Sequence, residues 1–354
     1  MKKIALLLSL LMLLAACGTP GGSSSQAEPA VSTLAPVSEP DPEPVFTNPL
    51  TGLETPTDLS AKRPVAIMLN NLKKALPQLG VSQADLIYEA PAEGGITRMM
   101  AVFQSVEGVG DLGSVRSARP YYVEMAAGLD AIYIHAGGSD GAYAAIKKYS
   151  VSNIDGVNGP YGGTMFWRDA ARKQNAGFEH SLLTSAQRIE SLLAGSLSGM
   201  RQTHDAGYTL PLFFTRDGTP DNGMPADTIT IQWSNYKTGV FRYDSASGVY
   251  GVEEYGAPYV DGNNSVPVTV TNVLFIHTAV KNIPGDTAGR KDIPLTGSGT
   301  GYFACGGQYV PIRWEKASAN DPFRYYTADG QPLVMGAGKS YINIVDPSYS
   351  LTFA

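Results

Sequence analysis

Asp130-Ala131-Ile132-Tyr133-Ile134-His135-Ala136-Gly137-Gly138-Ser139 decides the fold class. Residues 130–135 read as a strand built on apolar and β-branched side chains. Gly137 and Gly138 close it, because glycine accepts positive φ and close backbone approach. Ser139 then offers a hydroxyl to the free N–H groups of a helix start, and the helix reads to about residue 149. A strand, a glycine turn and a capped helix in succession place this region in a mixed α/β class.

Working outward, residues 63–70, 85–89 and 98–103 read as buried strands, and residues 118–127 as a helix stopped by Gly128. A second helix follows Thr184-Ser185-Ala186-Gln187, which has capping-box form. Ile189, Leu192, Leu193 and Leu197 then recur at helical spacing, and Gly199 is the expected stop. From about residue 210 the character changes. Residues 228–233 alternate as a strand does. Residues 240–243 and 249–252 flank Asp244-Ser245-Ala246-Ser247-Gly248, a hairpin signal. Further strands fit residues 266–271, 273–278, 301–304, 308–314 and 341–345. The expected fold is α+β: a mixed α/β part over residues 46–206 packed with a β-rich part over residues 207–354.

The start of the chain reads differently. Met1-Lys2-Lys3 precedes an apolar run, residues 4–14, that is too short to span a bilayer comfortably and has the length of a signal-peptide core. It ends in Leu14-Ala15-Ala16-Cys17, the form of a bacterial lipobox. Residues 1–16 are therefore expected to be a cleaved signal peptide. Cys17 is then the lipidated N-terminus, carrying palmitate-class acyl chains that hold the protein on the extracytoplasmic face of the cell membrane. Two chains suffice for durable anchoring, at about 0.8 kcal/mol per buried methylene. Residues 17–45, rich in Gly, Ser, Pro and acids, have too little apolar surface to offset their ordering entropy and read as a disordered tether.

The 354 residues allow one large or two ordinary domains, and the formal charge of −6 argues against nonspecific binding to nucleic acid. Cys17 and Cys305 are the two cysteines. With Cys17 acylated, no disulfide forms within the chain, and Cys305 reads as a small buried residue.

The motifs resemble the YerB-like lipoproteins. In the first part the resemblance rests on Tyr88-Glu89-Ala90, Glu93-Gly94-Gly95-Ile96-Thr97-Arg98, Gly113-Ser114-Val115-Arg116-Ser117-Ala118-Arg119-Pro120, His135-Ala136-Gly137-Gly138-Ser139, Phe166-Trp167-Arg168 and Glu179-His180. In the second part it rests on Tyr243-Asp244, Ser247-Gly248-Val249-Tyr250, Asn272-Val273, Gly289-Arg290, the run 297–303, Gly306 and Trp314. Some relatives carry Pro-His-Asn where this chain has Glu179-His180-Ser181. The resemblance implies a two-part α+β fold and an extracytoplasmic lipoprotein. It implies no activity.

Several groups point to chemistry. Arg116 and Arg119, around an expected helix start, form a clamp for phosphate or carboxylate, or else pair with Glu89, Glu93 or Glu124. His135, Gly137, Gly138 and Ser139 lie where α/β sheets often face a ligand, although no lysine follows in P-loop spacing, so no nucleotide cofactor is expected. Glu89 and Glu93, with Arg98 behind them, are a candidate acid–base pair on a glycan, or structural charges. Arg168 and His180 bracket a polar stretch that converges with Arg116, Arg119 and His135 in the expected cleft. Tyr121, Tyr122, Tyr161, Phe166 and Trp167 are either a stacking face or core. The four histidines lack ligand spacing, and no metal is expected; His135, Asp140 and His180 come nearest to a set.

The leading reading is a non-catalytic binding or accessory lipoprotein for an anionic envelope ligand: a cell-wall polymer, a lipid-linked precursor or a membrane protein partner. The alternative is an envelope hydrolase or transferase using Glu89 or Glu93 with His135 or His180.

Overall fold

The computed structural model describes residues 45–354. The signal peptide, Cys17 and residues 17–44 of the expected tether lie outside the described residues.

The first part supplies strands β1 (Val65–Asn70), β2 (Leu86–Pro91), β3 (Thr97–Phe103), β4 (Asp111–Gly113), β5 (Ile132–His135), β6 (Asn153–Asp155), β7 (Trp167–Arg168) and β8 (Leu182–Ser185). Its helices are α1 (Pro120–Gly128), α2 (Asp140–Lys148), α3 (Ala170–Asn175) and α4 (Ala186–Ala194). The second part adds β9 (Thr228–Ser234), β10 (Lys237–Asp244), β11 (Val249–Glu254), β12 (Asn272–His277), β13 (Gly297–Cys305), β14 (Gln308–Lys316), β15 (Arg324–Thr327), β16 (Ser340–Val345) and β17 (Ser350–Phe353). The architecture is α+β, mixed in the first part and β-rich in the second.

One central sheet takes strands from both parts. Its order is Met224–Pro225, β14, β13, β12, β16, β2, β3, β1, β5, β6, with β15 also paired to β14. The halves meet where β16 runs parallel to β2, Leu86 opposite Ser340 and Glu89 opposite Asn343. Every residue of β1, β2 and β3 is buried, so both faces of the sheet are covered. On one face Ile67 and Leu69 pack with Ile189 and Leu192 of α4 and with Ile229, Ile231 and Phe241. These last three belong to a second sheet, whose core is β11, β10, β9 and β17. β9 alternates half-exposed and buried residues, as expected of a strand with one covered face. On the other face Met68, Tyr88 and Met100 pack with Tyr121, Tyr122 and Met125 of α1 and with Trp314 and Phe323.

Local chemistry moved some expected boundaries. The helix read at 118–127 begins at Pro120, because proline suits the first helical position and holds Arg119 extended at φ −133°. The helix after residue 184 is capped by Ser185, not Thr184: Thr184 lies in β8 and donates its hydroxyl to Met165 O at 2.9 Å. That helix stops at Ala194 with Gly195 as its C-cap, so Leu197 and Gly199 lie beyond it. The short β4, β6, β7, β8 and α3 escape a periodicity reading, being too brief to show a pattern. Tyr121, Tyr122 and Phe166 are core residues and offer no stacking face. Cys305 is buried as expected, and burial pushes its thiol up to about 11.

Candidate functional site: an arginine cleft

β1, β5 and β6 run parallel, and β2 shares their direction because both β1 and β2 pair antiparallel with β3. Their C-terminal ends therefore lie together. The residues that follow them enclose a cleft of about 630 Å³. This is the position at which open α/β sheets receive ligands, and the volume lies within the roughly 300–1,000 Å³ of small-molecule sites.

Glu93 arrives from the turn after β2, and Arg98 from β3. Arg116, Ser117 and Arg119 come from the segment before α1, and Gly137 and Gly138 from the turn after β5. Arg168 ends β7, and Phe178 and Glu179 follow it. Ala288 and Arg290 reach in from the second part, on a hairpin closed by Lys281–Asn282 and Lys291–Asp292. Five arginines and two glutamates thus line the cleft of a chain whose overall charge is −6.

The guanidinium groups form two clusters. In the inner one, Glu93 pairs with both Arg98 (3.1 Å) and Arg119. Arg98 also donates to Ser117 O (2.8 Å) and Arg119 to Ala118 O (2.7 Å), which fixes their forks. Arg98 is 4 % exposed, and its Nε has no partner among the described residues. Burial and then the Arg119 charge bring the Arg98 guanidinium down to about 10. Burial works against the charge on Glu93, yet Arg98 and Arg119 hold its carboxyl below the usual range. In the outer cluster, Arg116 donates to Glu179 O (2.6 Å) and lies 3.5 Å from the Glu179 carboxylate, whose side chain is 75 % exposed. Arg168 donates to Phe178 O (2.6 Å) and stacks 3.7 Å from the Phe178 ring. Burial and then Arg116 lower the Arg168 guanidinium, so these cations repel each other.

Backbone dipoles add to the positive field. Arg119 is the N-cap of α1, with no side-chain cap and no acid in the first turn, so that helix end is uncompensated. The wall beside it is set by Asp155, whose Oδ1 accepts from Gly137 N (2.7 Å) and Val157 N (2.8 Å) while Oδ2 accepts from Tyr143 Oη (2.6 Å). Gly137 sits at φ +69°, a conformation that disfavours a side chain.

Of the residues expected to converge, Glu93, Arg98, Arg116, Arg119, Gly137, Gly138 and Arg168 line this cleft. Four others do not. His135 is fully buried, its ring bridging Gly137 O (2.9 Å) and Asn153 Oδ1 (3.2 Å) beneath the turn. Ser139 spends its hydroxyl capping α2 through Ala142 N. His180 is buried, and Asn70 Nδ2 lies 2.7 Å from its Nδ1. Burial and then Arg116 lower its basicity. Glu89 lies in a separate buried cluster with Lys237 (3.1 Å), Asn71 (2.8 Å), Tyr341 (2.5 Å) and Thr97; Lys237 also pairs with Glu254. The expected Glu89/Glu93 acid–base pair does not form, because strand alternation sends Glu89 into the core while the following turn carries Glu93 to the cleft. The set His135, Asp140 and His180 does not converge as a metal group among the described residues.

Sequence reading missed Phe178, Val157 and Arg290 as cleft residues. Arg290 had a signal in Gly289-Arg290, but nothing local ties that turn to a site more than a hundred residues away.

Comparison with known proteins follows the same outline. A family model described as "Protein of unknown function (DUF3048) N-terminal domain" matches residues 50–199, and the corresponding C-terminal domain model matches residues 229–342. The chain is 33% identical over 300 residues to "Putative lipoprotein YerB" of Bacillus subtilis (strain 168), covering 84% of this chain and 85% of that one. The crystal structure of the YerB protein from Bacillus subtilis matches with a TM-score of 0.74 at 30% identity, covering 86% of this chain and 99% of that one.

Proposed function

The chain belongs to the DUF3048 family, and on that premise we propose that it is a lipoprotein, anchored through Cys17 on the extracytoplasmic face, whose body binds an anionic envelope ligand in the arginine cleft without catalysing a reaction on it. The observation that carries this reading is the excess of five guanidinium groups over two carboxylates in one cleft of an acidic protein. Buried like charges are costly unless an opposite charge joins them, and planar forks suit phosphate or carboxylate oxygens. The name of the Bacillus subtilis relative and the lipobox at Leu14-Ala15-Ala16-Cys17 support the anchor. The hydrolase or transferase alternative loses its named groups: Glu89, His135 and His180 stand outside the cleft, and Glu93 is occupied by two arginines.

Thermal unfolding with inorganic diphosphate tests the reading. At about a hundred times Kd a ligand of the folded state adds about 2.7 kcal/mol, which corresponds to roughly 5 °C in a protein of this size. Wild type should show that shift, and Arg116→Ala combined with Arg168→Ala should lose it. Equal shifts in both proteins contradict the proposal.

A further inference from the structure

The cleft lies at the opposite end of the central strands from the start of the described chain. Asn48, near the start of the described chain, donates its amide to Asp85 Oδ1 (3.0 Å), immediately before β2. Glu93, in the cleft, follows the other end of β2. The strand has six residues, so about 20 Å separates the two ends. Lys62 and Gln104, which flank β1 and β3 at the entry end, are joined there by a 2.6 Å hydrogen bond from Gln104 Nε2 to Lys62 O. The chain thus enters at one end of the central strands and the arginines gather at the other.

The cleft also has two separate charge surpluses. The inner cluster sets Arg98 and Arg119 against Glu93 alone, and the outer one sets Arg116 and Arg168 against Glu179 alone. Arg290 is paired with Asp286 (2.9 Å) inside its own hairpin. Each cluster therefore lacks one negative charge. Arg116 and Arg119 are three residues apart, so their Cα atoms lie within about 10 Å of each other. A single monoanion satisfies one cluster and leaves the other repulsive. A chain carrying one charge per short repeat satisfies both.

We infer that the cleft takes consecutive phosphate groups of a phosphodiester polymer. This rests on the anion-binding reading above. One phosphate bridges Arg98 and Arg119 beside the uncapped start of α1, the next bridges Arg116 and Arg168, and the exposed Phe178 ring packs against the linking carbons.

The test measures equilibrium binding to the purified full chain at 0.15 M salt (roughly physiological ionic strength), with four probes: a synthetic oligomer of glycerol phosphate diesters, inorganic phosphate, an oligouronate, and phosphatidylglycerol vesicles. The oligomer is expected to bind at least tenfold more tightly than inorganic phosphate. Arg116→Ala with Arg168→Ala should remove that advantage. If phosphate binds in the cleft and the oligomer gains nothing, the polymer inference falls and the anion reading stands. If no anion binds, both fall. An oligouronate that binds as tightly as the oligomer overturns the phosphodiester assignment, and vesicles that capture the protein through the cleft assign the site to lipid headgroups and overturn the polymer.

Discussion

Glu93 is the residue on which structure and binding pull in opposite directions. It holds Arg98 and Arg119 together from a partly buried position, and it also cancels positive charge that a ligand would use. Its carboxyl lies below the usual range, so its stabilisation is present above the unfolded carboxylate value near 4.5 and is lost as pH falls through the lower folded value. Glu93→Gln should lower stability by roughly 2–4 kcal/mol at pH 7, since it leaves two arginines short of a partner, and the loss should shrink toward pH 3. The same change should tighten binding of inorganic diphosphate severalfold. Urea unfolding and calorimetric titration check the pair of effects. A variant that is weaker in both is evidence that Glu93 merely holds the fold.

Residue types were legible in the sequence at this scale, and their facing was not. Arg116 and Arg119 read either as a clamp or as partners of Glu89, Glu93 or Glu124; both line the cleft, and Arg119 is also paired with Glu93. Glu89 and Glu93 were read as neighbours, yet the chain turns between them and one becomes core. His135 was expected to face the ligand, but its ring supports the Gly137 turn from below. A linear sequence carries the strand period. It does not say which face of a two-sided buried sheet will meet water.

At the scale of elements, the cleft depends on its frame. Asp155 ties two backbone amides and Tyr143 together, and these bonds outweigh burial to hold its carboxyl below the usual range. Asp155→Ala should cost about 1–3 kcal/mol, because it strands the buried Gly137 amide and removes the acceptor of Val157 N and Tyr143 Oη, and should weaken diphosphate binding although Asp155 itself carries the wrong charge for a ligand. Ser139→Ala, which removes only the cap of α2, should cost about 1 kcal/mol and leave affinity unchanged. Measured side by side, equal effects on affinity would show that the Gly137 wall is not specifically shaped. The Ser139 cap, the strand before it and the hairpin at residues 240–252 were readable because each has a local cause. The short β4, β7 and β8 were not, because pairing with distant partners makes them strands.

Across the whole molecule, β2 and β16 join the two parts in one sheet, and a buried ionic cluster crosses the same seam. Glu89 lies on one side of it; Lys237 and Glu254 lie on the other. One cation faces two carboxylates there, with Tyr255, Tyr259 and Tyr341 around them. Burial and then the Glu89 charge push Glu254 up to about 7. A raised acid favours the folded state while protonated, so its contribution is full below the unfolded value near 4.5 and is lost as pH rises through about 7. Asp130 acts in the opposite sense: His204, Arg201 and Arg63 overcome its burial and hold it near 2, so its contribution fades only as pH falls toward 2. Stability measured from pH 4.5 to 8 should therefore fall less steeply in Glu254→Gln than in wild type. A slope unchanged by the substitution would mean that the cluster titrates elsewhere. Calorimetry should also find a single cooperative transition for residues 45–354, and two separable transitions would contradict the shared sheet as the unit of folding.

The most direct measurement is a crystal of the chain grown with tungstate, a heavy analogue of tetrahedral oxyanions, with the metal located by its anomalous scattering. The arginine cleft account predicts a principal peak between the guanidinium groups of Arg116 and Arg168, absent from crystals of Arg116→Ala with Arg168→Ala. Tungstate bound elsewhere on the surface, with the cleft empty in the wild-type protein, would contradict it.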